Sequence, residues 1–582
     1  MRPDDPNFNV VEMAPCHYSN ALNVNQETVT MRTPEHNSRI MGRLRPMSLA
    51  IVSALALFSG AVSAQVRVTA VDFSPVSDVK FQKDVVEKRL TPIGSSLIGE
   101  DVASLNFTDA AAKMSEASRS AGWLISRVVV TPADKQAAMK TGVLRFTVLE
   151  GAVGRITLNN TSKVKTRRLA KTLSTALCDK YELQGDTLVC EGGKPLTNAS
   201  LERAELLLSD IPGVQLGVPS LSADGVGVGE THLTEGVTPL GRRLQFGLGV
   251  DNYGSSSVGH ARFVGTVSGV NLLGEGDVLK VLATATDKNY YGGDIDFSLP
   301  IGYSGLRWYV NASSTYFTIN DSDLTGRSTG VATGLSYPIF RAFGYDLRAN
   351  IDLSKSWGRS TFGGQELSNS ITNALDAGLT WDDGDRRRLA GESFTAANFT
   401  LTNGHLNIAS AASAQVDALT AQTQGQFTKA VYTLLRKQNL YSGTNAPYLL
   451  INLHGQFASK NLDAGDKMVT GGVSGARAYS TDEPMADTGH ILQLDLRKPF
   501  TVKNTVVTGG IFFDAAHVRI NKDPWDASQN TRNLLDAGIS LDANIAKHAS
   551  LGLMWAHRLG GEQSIANPGS PSQLWLTFSS QF

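Results

Sequence analysis

An alternation of apolar and polar residues recurs from residue 242 to the C-terminus and limits the folds open to this chain. In residues 244–251, four apolar side chains alternate with Gln, Gly, Gly and Asp. Residues 491–497 and 573–582 repeat the pattern. Because successive side chains of a β-strand point to opposite faces, each segment is predicted to be a strand with one apolar and one polar face.

The length of the alternating region indicates to which class of β-protein the chain belongs. No apolar run after residue 64 is long enough for a spanning helix, which excludes a polytopic helical membrane protein. A soluble β-rich protein and a transmembrane β-barrel remain, and a soluble sandwich is not expected to alternate over so long a stretch. A barrel strand with its share of turn and loop uses roughly twenty residues, so residues 242–582 accommodate about 16 strands.

Composition and motifs argue against several other functions. Lys and Arg total 53 and Asp and Glu total 54, so no excess charge indicates a nucleic-acid partner. The sequence has no phosphate-binding loop, and residues 472–475 lack the fifth-position glycine of a serine-hydrolase elbow. The ten histidines form no i,i+4 pair with a catalytic glutamate. We therefore expect no enzyme activity, no metal and no cofactor.

The N-terminal residues have the pattern of a targeting segment. Residues 1–40 are polar and without periodicity, and we leave them unassigned, as an extension that an upstream start site would explain. Residues 41–64 carry two arginines, a short apolar centre and a small-residue ending, which predicts a secretory signal peptide cleaved after Ala64. The alternative is an unusually polar core helix.

Two small α/β units are predicted between the signal peptide and the alternating region. Residues 65–152 have the order strand, helix, helix, strand, strand, with Val66 in the first strand. Residues 153–236 begin with a strand and contain two helical patterns. The two units agree in element order more than in residues.

Cys178 and Cys190 close a short loop in the second unit. No Cys-x-x-Cys motif or nearby histidine supports a metal site. In an oxidising compartment we expect a disulfide, which contributes roughly 3 kcal/mol for a loop of this size. Two free core thiols are the alternative, and Cys16 lies ahead of the predicted signal peptide.

A glycine-rich segment lies between two alternating segments near the C-terminus. Residues 471–479 are Gly-Gly-Val-Ser-Gly-Ala-Arg-Ala-Tyr, and Asp-Thr-Gly follows at 487–489. Farther on, Phe512 and Asp514 share one face of a predicted strand, which is the lumen face if lipid surrounds the wall. An inward carboxylate and Arg477 indicate a loop that folds into a barrel and is held by a charge-assisted pair. The alternative is a surface turn with an exposed arginine.

This glycine-rich segment resembles the sixth extracellular loop of two-partner secretion transporters of the TpsB type, the ShlB/FhaC/HecB-like family. The Phe-x-Asp of residues 512–514 resembles the strand motif that receives the loop arginine there. Residues 250–254 and 271–277 resemble the first barrel strands of the family. The terminal Phe582, with Phe578 on the same face, resembles the signal that the outer-membrane barrel-insertion machinery recognises.

The resemblance implies a transmembrane antiparallel β-barrel of about 16 strands at residues 237–582. Two small periplasmic α/β POTRA domains would precede it, at 65–152 and 153–236. The loop folded into the lumen would span 471–489. Its expected anchors and their wall partners are Gly472, Gly475, Arg477, Tyr479, Phe512 and Asp514.

The resemblance also implies a function. The POTRA domains would bind an unfolded partner exoprotein of the TpsA type in the periplasm, and the barrel, surrounded by outer-membrane lipid, would export it to the cell surface. The alternative is a barrel-assembly factor of the same superfamily, which inserts other barrels. A passive porin would not need the N-terminal region.

Two departures from the family pattern stand out. Members commonly carry a helix ahead of the first POTRA domain that plugs the pore, whereas Val66 follows the predicted cleavage site almost directly. We therefore expect no plug helix. The loop also has Ala476 where the family often has valine.

Overall fold

The computed structural model describes residues 65–582, apart from 75–79, 320–321, 384–392, 444, 504, 547 and 561. The predicted extension, the signal peptide, Cys16 and any plug helix preceding residue 65 lie outside these residues. Among the described residues, no helix combines the length and the apolar character that crossing a membrane requires.

The first α/β unit is a three-stranded sheet covered by helices. Its strands have the order β1-β3-β2, with β1 parallel and β2 antiparallel to β3. Buried Leu90, Met114, Trp123 and Phe146 form the centre of its core. The strands are β1 (Ala70–Ser74), β2 (Arg127–Val129) and β3 (Val143–Leu149), and the helices are α1 (Lys80–Val85), α2 (Thr91–Ser95), α3 (Phe107–Ser120) and α4 (Pro132–Thr141), with a π-helical turn at Val86–Leu90.

The start of this unit differs from the prediction. Strand β1 begins at Ala70 and not at Val66. Val66 and Val68 are nevertheless held beside a loop, because the Val68 N–H donates to the Glu100 carbonyl at 2.9 Å and the Val102 N–H donates to the Val66 carbonyl at 2.9 Å. The backbone groups of Val66 and Val68 are thus hydrogen-bonded, but their partners lie in a loop and not in a strand of the sheet.

Helix α4 lies between the last two strands and was not predicted. Thr131 caps its first turn by accepting the Asp134 N–H at 3.1 Å, and Pro132 occupies the first helical position. Only Ala138 is buried. Because the helix has almost no apolar face, its hydrophobic pattern was too weak to predict it.

The second α/β unit has a larger sheet with the order β5-β6-β4-β9-β7, and β8 pairs with β9. Leucines of two helices pack on the sheet, among them Leu169, Leu173 and Leu208. A disulfide between Cys178 and Cys190 joins β5 to β6. The elements are β4 (Ala152–Asn160), α5 (Thr166–Leu177), β5 (Cys178–Gln184), β6 (Thr187–Gly193), α6 (Asn198–Ser209), β7 (Val214–Leu216), β8 (Ser220–Ser222) and β9 (Glu230–Pro239).

The remaining strands form a closed antiparallel barrel of 16 strands, which confirms the predicted fold. Each strand pairs with its neighbours in sequence, and β10 closes the barrel against β25. A helix, α7 (Ala411–Leu419), lies between β18 and β19. The strands are β10 (Leu244–Asp251), β11 (Arg262–Val270), β12 (Val278–Thr286), β13 (Tyr290–Pro300), β14 (Arg307–Ile319), β15 (Leu324–Ala342), β16 (Tyr345–Phe362), β17 (Gln365–Asp382), β18 (Phe394–Ile408), β19 (Gly425–Asn439), β20 (Tyr448–Ala458), β21 (Thr488–Val502), β22 (Thr505–Arg519), β23 (Thr531–Ala546), β24 (Ala549–Arg558) and β25 (Ser572–Gln581).

The outer face of the barrel is apolar, as the alternation predicts. In β10 the exposed side chains are Leu244, Phe246, Leu248 and Val250. In the last strand, Phe578 is exposed on the same outer face, and Phe582 follows the strand with its N–H donated to the Phe246 carbonyl at 2.8 Å. Exposed apolar side chains at alternate positions are the surface that a lipid environment requires.

An ionic cluster joins the second α/β unit to one end of the barrel. Asp210, which follows α6, accepts two hydrogen bonds of 3.0 Å from Arg341 and one of 2.6 Å from Arg348. Arg348 also donates to Asp346 at 2.8 Å. Because these barrel residues flank the β15–β16 turn, the cluster fixes the end at which the α/β units lie. We call these four residues the junction cluster.

Candidate functional site

The connection between β20 and β21, residues 459–487, packs against residues of the barrel interior; we call it the lumen loop. Within it Ala476, Ala478 and Tyr479 are fully buried. The loop starts earlier than the predicted 471, and Gly489 belongs to β21, where it pairs with Gln456 and Val518. The prediction of 471–489 was wrong at both ends, because it followed the glycines and not the strand pairing.

Asp487 fastens the base of the lumen loop. This fully buried carboxylate accepts the Leu462 N–H at 3.1 Å and lies 3.1 Å from the Lys467 ammonium. It also accepts the Lys522 N–H, from the β22–β23 connection, at 2.8 Å. The two ends of the loop are thereby held together beside a neighbouring connection.

Arg477 is the inner anchor of the loop. Its Nε and Nη2 donate to the two oxygens of Asp514 at 2.8 and 2.6 Å, and its backbone N–H donates to the same carboxylate at 3.1 Å. Its guanidinium carbon lies 3.7 Å from the centre of the Phe512 ring, which is a cation–π distance. The structure therefore brings Arg477, Phe512 and Asp514 together, with the arginine buried and not on a surface turn.

A second carboxylate on the same guanidinium was missed in the sequence. Asp495 of β21 accepts from Nη1 and Nη2 of Arg477 at 3.0 and 3.1 Å. It also accepts from Arg497 at 3.1 Å. The signal was present, since Asp495 lies on the polar face of a predicted strand, but only the barrel register places it beside Asp514. We call Arg477, Asp495 and Asp514 the lumen cluster.

Three further strand residues hold the loop backbone and were also missed. Asp536 of β23 accepts the Ala478 N–H at 3.1 Å, and the Trp575 Nε1 of β25 donates to the Arg477 carbonyl at 2.7 Å. Gln493 of β21 donates to the Gly475 carbonyl at 2.9 Å. Because these strand residues bind backbone groups of the loop, no particular side chain in the loop sequence indicates them.

The predicted loop residues Gly472, Gly475 and Tyr479 occupy tight positions. Gly472 has φ of +74°, which favours glycine. A Cβ at Gly475 would lie 2.2 Å from the Thr470 carbonyl oxygen, so no larger residue fits without movement. The Tyr479 hydroxyl donates to the Glu562 carbonyl at 3.2 Å.

The other predicted site residues lie elsewhere. Phe578 faces outward on β25 with Phe582 just beyond the strand, and the Cys178–Cys190 disulfide belongs to the second α/β unit. In the described part of the chain, no three His, Cys, Asp or Glu side chains form a group that could hold a metal ion.

Comparisons with known proteins agree with this architecture. The model of the family described as haemolysin secretion/activation protein ShlB/FhaC/HecB matches residues 237–544, more than half of the chain. The heme/hemopexin transporter protein HuxB of Haemophilus influenzae (strain 86-028NP) is 25% identical over 518 residues, which are 86% of this chain and 85% of HuxB. The outer membrane transporter CdiB of Dickeya dadantii (strain 3937) is 23% identical over 405 residues, 68% of this chain and 66% of CdiB.

A solved structure shows the same fold. CdiB from Escherichia coli superposes with a TM-score of 0.67 at 17% identity, covering 90% of this chain and 93% of CdiB. The family match begins just before β10, includes the lumen loop and ends within β23. The chain therefore belongs to the ShlB/FhaC/HecB family of haemolysin secretion/activation proteins and is a two-partner secretion transporter of the outer membrane.

Proposed function

We propose that the two α/β units capture an unfolded exoprotein of the TpsA type in the periplasm and that the barrel exports it to the cell surface. The observation that carries this proposal is the lumen loop, which a buried arginine holds against the barrel interior. Membership of the secretion family supports export over the alternative, insertion of other barrels.

The α/β units would bind the client by strand addition. In this mode an extended segment forms hydrogen bonds with an open sheet edge, and pockets for alternate side chains give selectivity. Strands β2 and β5 are outer strands of their sheets. Of the two, β5 has seven residues and β2 has three, so β5 offers the longer row of backbone groups.

Export would be driven by the client itself. The sequence has no phosphate-binding loop, so the chain has no recognised means of hydrolysing nucleotide. Folding of the client outside the cell would prevent its return. In this scheme the transporter performs no catalysis and needs no cofactor.

The predicted loop residues would set the active shape of the channel. Arg477 would hold the loop on the wall through Asp514 and Phe512, while Gly472, Gly475 and Tyr479 give the loop its tight course. The outward Phe578 and the terminal Phe582 would be recognised by the barrel-insertion machinery during assembly. The apolar outer face would then lie in outer-membrane lipid.

Deletion of residues 65–236 tests export against a passive pore. Cells carrying the full chain or the deletion, each with its signal peptide, would express a large secreted protein encoded beside the transporter. We expect this protein in the medium or on the surface only with the full chain. Heat-modifiable migration on gels and single-channel recordings would show that both barrels are inserted. Undiminished export by the deletion variant would contradict capture by the α/β units.

A further inference from the structure

The lumen loop carries a buried acidic residue that is not part of the lumen cluster. The side chain of Glu483 is fully buried. It accepts the Ile565 and Ala566 N–H groups at 3.3 and 3.4 Å and the hydroxyl of Ser564. These three partners lie in the connection between β24 and β25, so Glu483 joins two different connections of the barrel.

Arg532, near the start of β23, completes this contact. It donates to Glu483 at 3.2 Å, to the Glu562 carboxylate at 2.6 Å and to the Gln563 carbonyl at 2.7 Å. The side chain of Arg532 is 2% exposed. A buried glutamate and a buried arginine therefore contact each other, and each has its own hydrogen-bond partners in the β24–β25 connection. We call the pair Glu483 and Arg532 the outer clamp.

The outer clamp and the lumen cluster hold the loop in different ways. Arg477 contacts strands of the wall, whereas Glu483, six residues later, contacts a neighbouring connection and the first residues of a strand. In an antiparallel barrel the β20–β21 and β24–β25 connections lie at the same end. The junction cluster lies at the opposite end, beside the β15–β16 turn. The outer clamp is thus placed across the end of the barrel from which an exported client would leave.

We propose that Glu483 is a positioning residue that keeps this exit closed, and that breaking the outer clamp opens the channel without releasing the loop from Arg477. This inference rests on the proposed function, since it assigns a gate to the same export channel. The buried carboxylate accepts a hydrogen bond from the charged Arg532 of β23 and hydrogen bonds from neutral donors of the β24–β25 connection. Loss of the charge on Glu483 would therefore free the outer part of the loop first.

The test is Glu483→Gln, recorded as single channels of the full mature chain in planar bilayers. Glutamine keeps the size and one acceptor oxygen but removes the charge. We expect the ratio of open to closed dwell times to rise about tenfold, as loss of a hydrogen-bonded charge implies. In cells with Glu483→Gln, more vancomycin should enter through the outer membrane. Export of the large secreted protein encoded beside the transporter should remain higher in this variant than in Arg477→Ala.

The matched control is Glu366→Gln. Glu366 lies at the start of β17, at the same end of the barrel, in a partly exposed pair with Arg359 at 3.1 Å. The substitution Glu366→Gln makes the same chemical change as Glu483→Gln but lies outside the outer clamp. We therefore expect the open and closed dwell times of the wild-type channel. Ser564→Ala, which removes one neutral donor to Glu483, should open the channel in the same direction but less.

A double variant distinguishes loss of the Glu483–Arg532 contact from a general loosening of the lumen loop. Because Glu483 and Arg532 contact each other, Glu483→Gln with Arg532→Gln should open the channel less than the sum of the two single effects. Unchanged dwell times in Glu483→Gln, or an export loss equal to that of Arg477→Ala, would overturn the inference while leaving the export function standing. A wild-type chain that forms no channel would overturn both.

Discussion

The lumen cluster and the junction cluster are both built from arginines and aspartates, but in different numbers and at different depths. In the lumen, one arginine lies between two carboxylates, Asp495 and Asp514. At the junction, two carboxylates, Asp210 and Asp346, each contact both Arg341 and Arg348. No side chain of the lumen cluster is more than 6% exposed, whereas at the junction Arg341 is 2%, Asp210 12% and Arg348 23% exposed. We therefore expect burial, and not the number of ion pairs, to set how much each cluster contributes to stability and export.

The reason lies in solvent access. When the central charge of a buried cluster is removed, its partners stay buried without compensation, at a cost of about 3–5 kcal/mol. Water and salt compensate a partly exposed partner, and exposed pairs are typically worth below about 1 kcal/mol. The lumen cluster should therefore be the more sensitive of the two, although the water of the lumen reduces its cost.

The largest expected effect is that of Arg477→Ala. Two buried carboxylates lose their shared cation, so the loop should leave the wall and export should fall at least about tenfold. The barrel strands do not depend on this residue for pairing, so insertion should be normal. Export of the neighbouring-gene protein, divided by the amount of heat-modifiable barrel, measures the effect.

Arg477→Lys sharpens this prediction. Lysine keeps the charge but cannot bind two carboxylates with the planar arginine fork, so export should recover only in part. Full recovery would mean that charge alone matters and that the fork geometry is irrelevant. Normal export by Arg477→Ala at normal abundance would remove the lumen cluster from the mechanism.

A smaller effect is expected when one carboxylate is changed. Asp514 accepts three hydrogen bonds from Arg477, while Asp495 accepts two and keeps a contact with Arg497. Asp514→Asn should therefore lower export more than Asp495→Asn. The same normalised export assay measures both variants, and the reverse order would contradict the ranking by contacts.

A substitution in the junction cluster should lower export less than a substitution in the lumen cluster. In Asp210→Asn both arginines keep Asp346 as a carboxylate partner, at 3.5 and 2.8 Å. We expect export to fall only a few-fold, because part of the cluster is open to water. Limited proteolysis between the second α/β unit and the barrel should become faster. A loss as large as that of Arg477→Ala would break the comparison.

The smallest expected effect is that of salt on the wild-type chain. At about 1 M salt, screening acts within about 3 Å and weakens pairs that solvent reaches. The distance distribution between spin labels on the second α/β unit and on the barrel should broaden, while labels on the lumen loop and β22 should show no change. Equal broadening at both places would indicate that both clusters are equally open to solvent.

Much of the site was predictable because it depends on alternation. The period of two placed Asp514 inward and Leu248 outward before any pairing was known, and Arg477 was the only basic residue in its glycine-rich segment. The length of the alternating region predicted the number of strands. Helix α4 was missed because it buries one residue, and a pattern read from apolar spacing has nothing to detect there.

The rest of the site depends on contacts between residues far apart in the chain. Trp575 reaches the carbonyl of Arg477 across 98 positions, and Glu483 reaches Ser564 across 81. No local rule predicts such pairs. They form because the folded barrel places β25 and the β24–β25 connection beside the lumen loop.

Local sequence patterns were enough to predict the barrel, the two α/β units before it and an arginine-bearing loop near an inward carboxylate, because side-chain alternation and turn residues act over a few positions. Which carboxylates share Arg477, and which connection holds Glu483, followed from the folded barrel. Such contacts depend on register, because pairing between strands fixes which side chains face each other in the lumen, and that pairing is set by the closed sheet as a whole.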